Sequence, residues 1–320
     1  MASRRPLAIL PRRIVRTGLL LLMLMGSRRL PGVVASSSSF CDDKHWQRVW
    51  SDEFNDAHLD ESVWTKDVGP PRHDSRTREA AATADSVFLQ DGALVIRSNA
   101  TWNGTAWSNL TSGAISSQHK LSFPGPTRVC VRAKLPGGGG RGRGIWPAHW
   151  LMPNDNSCWP CHGEIDIMEM INGDGTLHGT YHWCVNQTCS KKPYHKHSGG
   201  TLPLTDQDWS TTWHEYAVQY GTTTDEGKQH TILFAFDGVP YHEINETALV
   251  FPDVPYYAIL NTAIGGPWAS PPNTHLEAKG RRQASSSFQH YNHQVGMRHH
   301  THFPTYHYVD WIRVAQPTRH

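Results

Sequence analysis

The stretch Gly163-Glu164-Ile165-Asp166-Ile167-Met168-Glu169-Met170-Ile171 sets three acidic side chains among apolar ones at a spacing that decides the reading of the whole chain. Successive strand residues point to opposite faces, so Glu164 and Asp166 share one face, and Ile165 and Ile167 the other. Strict alternation would send Glu169 to the apolar side. One extra residue, a β-bulge at Ile167-Met168, returns Glu169 to the acidic face and Met170 to the core. A helix serves the pair poorly, because positions five apart diverge by about 140° at 3.6 residues per turn. The segment is therefore expected to be a bulged strand presenting Glu164, Asp166 and Glu169 together. A solvated acidic strand face is the bland alternative, and the aromatic surroundings weigh against it.

Outward from this stretch, turn signals separate short alternating runs. Val87–Gln90 and Ala93–Arg97 flank Asp91-Gly92, and Thr231–Phe236 and Val239–Ile244 flank Asp237-Gly238. An Asp-Gly pair supplies the positive φ angles of a tight hairpin turn. Arg128–Leu135 alternates as a half-buried strand should, His214–Tyr220 and Tyr308–Val314 behave similarly, and Tyr256–Ile264 reads as a more fully buried strand. With no long amphipathic helix and no internal repeat, the expectation is an all-β sandwich or barrel. The glycine-rich Gly137–Gly144 run lacks a following Gly-Lys-Ser/Thr and a helix, so it reads as a flexible loop rather than a phosphate cradle.

The N-terminal 35 residues combine a basic stretch (Arg4, Arg5, Arg12, Arg13, Arg16), an apolar Leu19–Met25 core and a small-residue cut site at Val33-Val34-Ala35, the layout of a secretory signal peptide. The apolar run falls short of the roughly 20 residues of a membrane helix. Residues 36–320 are then one domain, secreted, with no membrane association after cleavage. Seven of the 30 basic residues fall in the leader, leaving 23 against 28 acidic ones, so no general electrostatic case for nucleic acid exists. The cysteines, Cys41, Cys130, Cys158, Cys161, Cys184 and Cys189, favour disulfides in that compartment, without defining their connectivity. Local pairing of Cys184 with Cys189 is one option, and a four-thiolate zinc site using Cys158, Cys161, Cys184 and Cys189 is the alternative. Sequons at Asn99, Asn103, Asn109, Asn186 and Asn245 agree with secretion. Residues 281–307, rich in histidine, are expected to form an inserted surface loop, with metal binding as the lesser reading.

Two carboxyls across a strand suit glycoside hydrolysis, where one attacks the anomeric carbon and the other protonates the leaving oxygen. Retaining enzymes hold them about 5–5.5 Å apart. Asp166 between them would keep one charged and raise the proton affinity of the other.

Glu-Ile-Asp-Ile-Met-Glu resembles the acidic motif of glycoside hydrolase family 16 in its bulged, laminarinase-type form. Ser51-Asp52-Glu53-Phe54, Gly144–Trp150, His178–His182, Trp213–Tyr216, Leu260–Trp268 and Val309–Val314 follow in the family's order. The resemblance covers about Val49 to Val314. It implies a β-jelly-roll sandwich of two antiparallel sheets with a concave cleft for a polysaccharide. It also implies a retaining endo-1,3-β-glucanase with Glu164 as nucleophile, Glu169 as acid/base and Asp166 as modulator. Trp146 and Trp268 would stack on glucose rings. Trp150 reads equally as a further platform or as core, His182 as a hydrogen-bonding group near the cleaved bond or as structural, and His178 as structural. No metal or cofactor is required, although the resemblance allows a structural calcium by Glu53 and Asp310. A monomer is expected. The cysteine pair at 158–161 and the length of the 281–307 stretch depart from the family pattern and leave linkage preference open. A non-catalytic β-glucan-binding protein and a transglycosylase are the competing readings, and a histidine metalloenzyme leaves the acidic strand unexplained.

Overall fold

The computed structural model describes residues 39–70, 80–104, 106–184, 195–204, 208–223, 230–244, 254–272 and 300–318. The expected leader, the Cys184–Cys189 pairing, the zinc ligand Cys189, the sequons at Asn186 and Asn245, and residues 281–299 lie outside them. The described chain is all-β, with one short 3-10 turn at Ala84–Ser86. In chain order its strands are β1 (Trp46–Asp52), β2 (Thr65–Lys66), β3 (Ala81–Ala82), β4 (Val87–Gln90), β5 (Ala93–Trp102), β6 (Trp107–Ser112) and β7 (Ala114–Ser116). They continue through β8 (Thr127–Lys134), β9 (Ile145–Pro153), β10 (Glu164–Glu169), β11 (Thr176–Cys184) and β12 (His195–Pro203). The last five are β13 (His214–Thr223), β14 (His230–Phe236), β15 (Val239–Ile244), β16 (Tyr256–Ile264) and β17 (Thr305–Pro317).

They form a β-jelly-roll sandwich of two mostly antiparallel sheets. The larger runs β15-β14-β13-β8-β17-β5-β6-β3, with β1 on β17 and β4 on β5; the smaller runs β12-β11-β10-β9-β16-β7-β2. Only the β3–β6 pair is parallel among the described ladders. Both Asp-Gly hairpins form where expected, with φ of 53° and 73° at Asp91-Gly92 and 48° and 77° at Asp237-Gly238.

The interior between the sheets is filled by Ile165, Ile167 and Met168 of β10, Tyr181 of β11, Tyr216 and Val218 of β13, and Val309 and Ile312 of β17, all buried. A polar contact crosses this apolar layer. His149 of β9 and His307 of β17, both fully buried, approach through their Nε2 atoms at 3.0 Å, and His307 Nδ1 lies 3.1 Å from Thr262 Oγ1. Burial pushes both imidazoles down, His307 to about 3. Two facing rings are thus kept neutral, because a charge there would have no water around it. His307 corrects the expected surface loop at 281–307: residues from Thr305 onward belong to β17.

β8 is a second correction. Its outward side is also covered, so Thr127–Val131 are buried throughout. The cover is the N-terminal segment. Cys41 is disulfide-bonded to Cys130, and the Arg128 guanidinium lies between the Phe40 and Trp46 rings at 4.1 and 4.3 Å. Arg128 also donates to the Phe40 carbonyl at 2.7 Å.

Candidate active site

β10 is an inner strand of the smaller sheet, between β9 and β11. Its start is fixed by Gly163, at φ 92°, where an added Cβ would lie 2.6 Å from Tyr256 Oη and 2.7 Å from Tyr181 Oη. No side chain fits between those phenols. Along β10, Glu164 pairs with His182 and Asp166 with Thr180, and the next paired residue is Glu169, opposite His178. Against β9, Asp166 pairs with Trp150, Met168 with His149 and Glu169 with Ala148. Two residues, Ile167 and Met168, therefore stand where each neighbour has one, which is the expected bulge. Glu164, Asp166 and Glu169 share the outer face, while Ile165, Ile167, Met168 and Met170 are buried.

Tryptophans hold the two glutamates. Trp146 Nε1 donates to Glu169 Oε1 at 2.9 Å, and Trp159 Nε1 donates to Glu164 Oε2 at 3.0 Å. His182 Nε2 lies 3.2 Å from Asp166 Oδ2 and 3.9 Å from Glu164 Oε1. Asp166 is 4% exposed, and burial pushes its carboxyl up to about 8. Glu169 is held well above the usual range, first by burial and then by the negative charge of Asp166. Glu164 adds to that rise, while the Trp146 hydrogen bond and His182 oppose it. Three acids crowded into a poorly hydrated face cannot all ionise, so the site retains a proton near neutrality.

The remaining expected residues fall on the same face. Trp146 and Trp150 are two rungs apart on β9, both half-buried. Trp268 meets Trp146 edge-on at 5.5 Å and His178 at 4.9 Å. Trp150 is not core: its Nε1 donates to Asn261 Oδ1 at 2.7 Å across the outer face. His178 stands beside Trp268 on the same face, its pKa lowered to about 4 by burial. Two groups went unrecognised in the sequence. Trp159 comes from the loop between β9 and β10, where no periodicity marks a direction. His195 and His197 lie on β12 beside His182, and only the pairing of β11 with β12 reveals them. The carboxylates suggested for calcium face arginines instead. Glu53 accepts from Arg313 Nε at 3.0 Å and Nη2 at 2.8 Å, and Asp310 accepts from Arg132 at 2.6 Å. Placed this way, they do not fit a shared cation.

Residues 79–280 match glycosyl hydrolases family 16. Over 239 residues the chain is 30% identical to glucan endo-1,3-beta-glucosidase A1 of Niallia circulans, covering 68% of this chain and 34% of that protein. Over 297 residues it is 29% identical to a beta-glucanase of Rhodothermus marinus, covering 85% of this chain and 93% of the relative. The chain thus spans about a third of the first relative and nearly all of the second. The laminarinase catalytic domain of Thermotoga maritima superposes with a TM-score of 0.64 at 26% identity, over 86% of this chain and 100% of the other. The chain belongs to glycosyl hydrolases family 16, in its laminarinase-like branch, and is by that membership a glycoside hydrolase.

Proposed function

We propose that the protein is a secreted, retaining endo-β-glucanase that cleaves β-1,3-glucan by double displacement. The observation that carries this reading is the bulged β10 strand, which puts Glu164, Asp166 and Glu169 on one face with an indole N–H on each glutamate. Glu169, its carboxyl raised by burial and by Asp166, holds the proton that the glycosidic oxygen takes as its bond to the anomeric carbon breaks. Glu164, oriented by Trp159, attacks that carbon and forms a glycosyl ester. The leaving chain departs, and Glu169, now ionised, removes a proton from water as the water attacks the anomeric carbon and breaks its bond to Glu164. Glu164 is released and Glu169 regains its proton.

Asp166, on the rung between the two glutamates, modulates them through its charge, which helps Glu169 keep its proton. Trp146 and Trp268 offer flat apolar surfaces suited to the faces of glucose rings, with Trp150 two rungs along β9. His182, in contact with Asp166, is positioned near the sugar whose bond breaks. The preference for β-1,3 linkages rests on the relatives' named substrates together with the bulged form of the acidic strand. Secretion is supported by the Cys41–Cys130 disulfide and by the exposed sequon asparagines Asn99, Asn103 and Asn109 on the β5–β6 hairpin.

The test is reducing-sugar release from laminarin, mixed-linkage glucan and cellulose by the mature protein, with Glu164→Gln in parallel. Laminarin should be cut in preference to cellulose, and the variant should lose at least about a thousandfold in rate while still binding the polymer. Failure of the parent on every β-glucan would refute the assignment, and an unimpaired variant would refute the role of Glu164.

A further inference from the structure

Beside the three acids, β11 and β12 bring together a histidine cluster of which the hydrolytic reading uses only His182. His182 of β11 pairs directly with His197 of β12, and His195 lies on the same face one step along. Ring centroids are 5.3 Å apart for His182 and His195, 5.7 Å for His182 and His197, and 5.9 Å for His195 and His197. One nitrogen from each ring lies within 4.8 Å of the other two. His182 Nδ1 and His195 Nε2 are already 3.0 Å apart. His197 is exposed, and the other two are half-buried.

We propose that His182, His195 and His197 form a binding site for a borderline divalent transition metal such as zinc(II), and that loading it suppresses turnover at the adjacent carboxylates. Three ligands on a tetrahedral zinc, at about 2.0–2.1 Å each, stand roughly 3.4 Å from one another, so the cluster needs only small ring rotations to close. Neutral imidazoles select zinc, copper and nickel over calcium and magnesium, which take oxygen ligands. The surroundings supply the outer ligand shell as well. With Nδ1 of His182 turned to the metal, its Nε2–H points at Asp166 Oδ2, 3.2 Å away, the carboxylate–histidine–metal arrangement that fixes a ligating ring. Trp159 packs edge-on against His195 at 4.7 Å and limits its rotation. Three protein ligands leave a fourth position open to water.

The inhibitory effect follows from proximity. His182 Nε2 is 3.9 Å from Glu164 Oε1, so a dication on the far nitrogen of the same ring withdraws charge from the attacking carboxylate. It also locks His182 away from the substrate.

The inhibition arm rests on the proposed glucanase reading; the binding arm does not. Zinc chloride is titrated calorimetrically into the mature parent, His197→Ala, His195→Ala/His197→Ala, and a control carrying His290→Ala/His293→Ala/His299→Ala. The parent should bind one more equivalent than the double variant, and the control should keep that equivalent. In laminarin hydrolysis, zinc should inhibit the parent reversibly with a chelator. With each enzyme referred to its own zinc-free rate, the half-inhibiting concentration should rise at least tenfold in the double variant. The exposed His197→Ala variant, which leaves the core untouched, should weaken binding in the same direction. Equal zinc stoichiometry in parent and double variant overturns the site, whether or not any glucan is cut. Equal inhibition of the two overturns its link to turnover.

Discussion

At the level of single residues, Trp146 carries two duties. Its indole N–H is spent on Glu169, while its ring is set against Trp268 on the face where sugar would lie. The hydrogen bond favours the ionised form of Glu169, opposing burial and the charge of Asp166. Trp146→Phe keeps an aromatic ring and removes the donor, so the Glu169 carboxyl rises further. The alkaline limb of the kcat/KM profile, where the acid loses its proton, should then move to higher pH. A limb that stays in place or moves down would show that Glu169 is not the group titrating there. Asp166 acts in the opposite sense, since its charge raises Glu169.

At the level of elements, β10 carries one surplus residue. Ile167 and Met168 together face single residues on β9 and β11, and the ladder resumes at Glu169. Deleting Met168 removes the surplus: Glu164, Asp166 and the following glutamate then alternate regularly and still share the outer face. The deletion should fold and retain hydrolysis, at a cost on the order of 2–5 kcal/mol for the lost buried side chain. Deleting Ile165 instead places Glu164 and Asp166 on opposite faces and should abolish activity. Thermal unfolding alongside laminarin hydrolysis checks both, and an inactive but folded Met168 deletion would count against the parity argument.

For the molecule as a whole, the His149–His307 contact links the two sheets behind the acids and ties stability to pH. Both imidazoles are buried neutral and pushed well below their ordinary value near 6.5, His307 to about 3. In that interval the unfolded chain takes up protons that the folded one refuses, so stability is full above about pH 6.5 and falls as the medium acidifies toward 3. His307→Gln keeps a polar group against Thr262 without a titrating ring. Its unfolding midpoint should fall less steeply between pH 6.5 and 4.5 than the parent's; identical slopes would exclude the pair as the cause. Much of this architecture was legible in the sequence because it obeys a period of two. The Asp-Gly hairpins, the β10 faces and the bulge all follow from alternation within one short segment. What was missed depends on partners distant in sequence. His307 sits in a run of surface-like histidines, and only its place opposite Ile96 on β5 and near Thr262 shows it to be interior. Trp159 and the β12 histidines likewise gain meaning from cross-strand neighbours. The coverage of β8 by residues 39–46 carries no local pattern at all.

The link between Cys41 and Cys130 has a consequence for how the chain can be made. It closes a loop of 89 residues, which in the chain-entropy view contributes about 4–5 kcal/mol by restricting the unfolded ensemble. A domain's entire margin is about 5–15 kcal/mol. Copies produced in a reducing host therefore start with much of that margin missing, and the N-terminal strap over β8 is held only by packing and by hydrogen bonds such as those from Arg128 to Phe40 and from Phe40 to Glu215. Yield from such a host then depends on oxidant supply during folding.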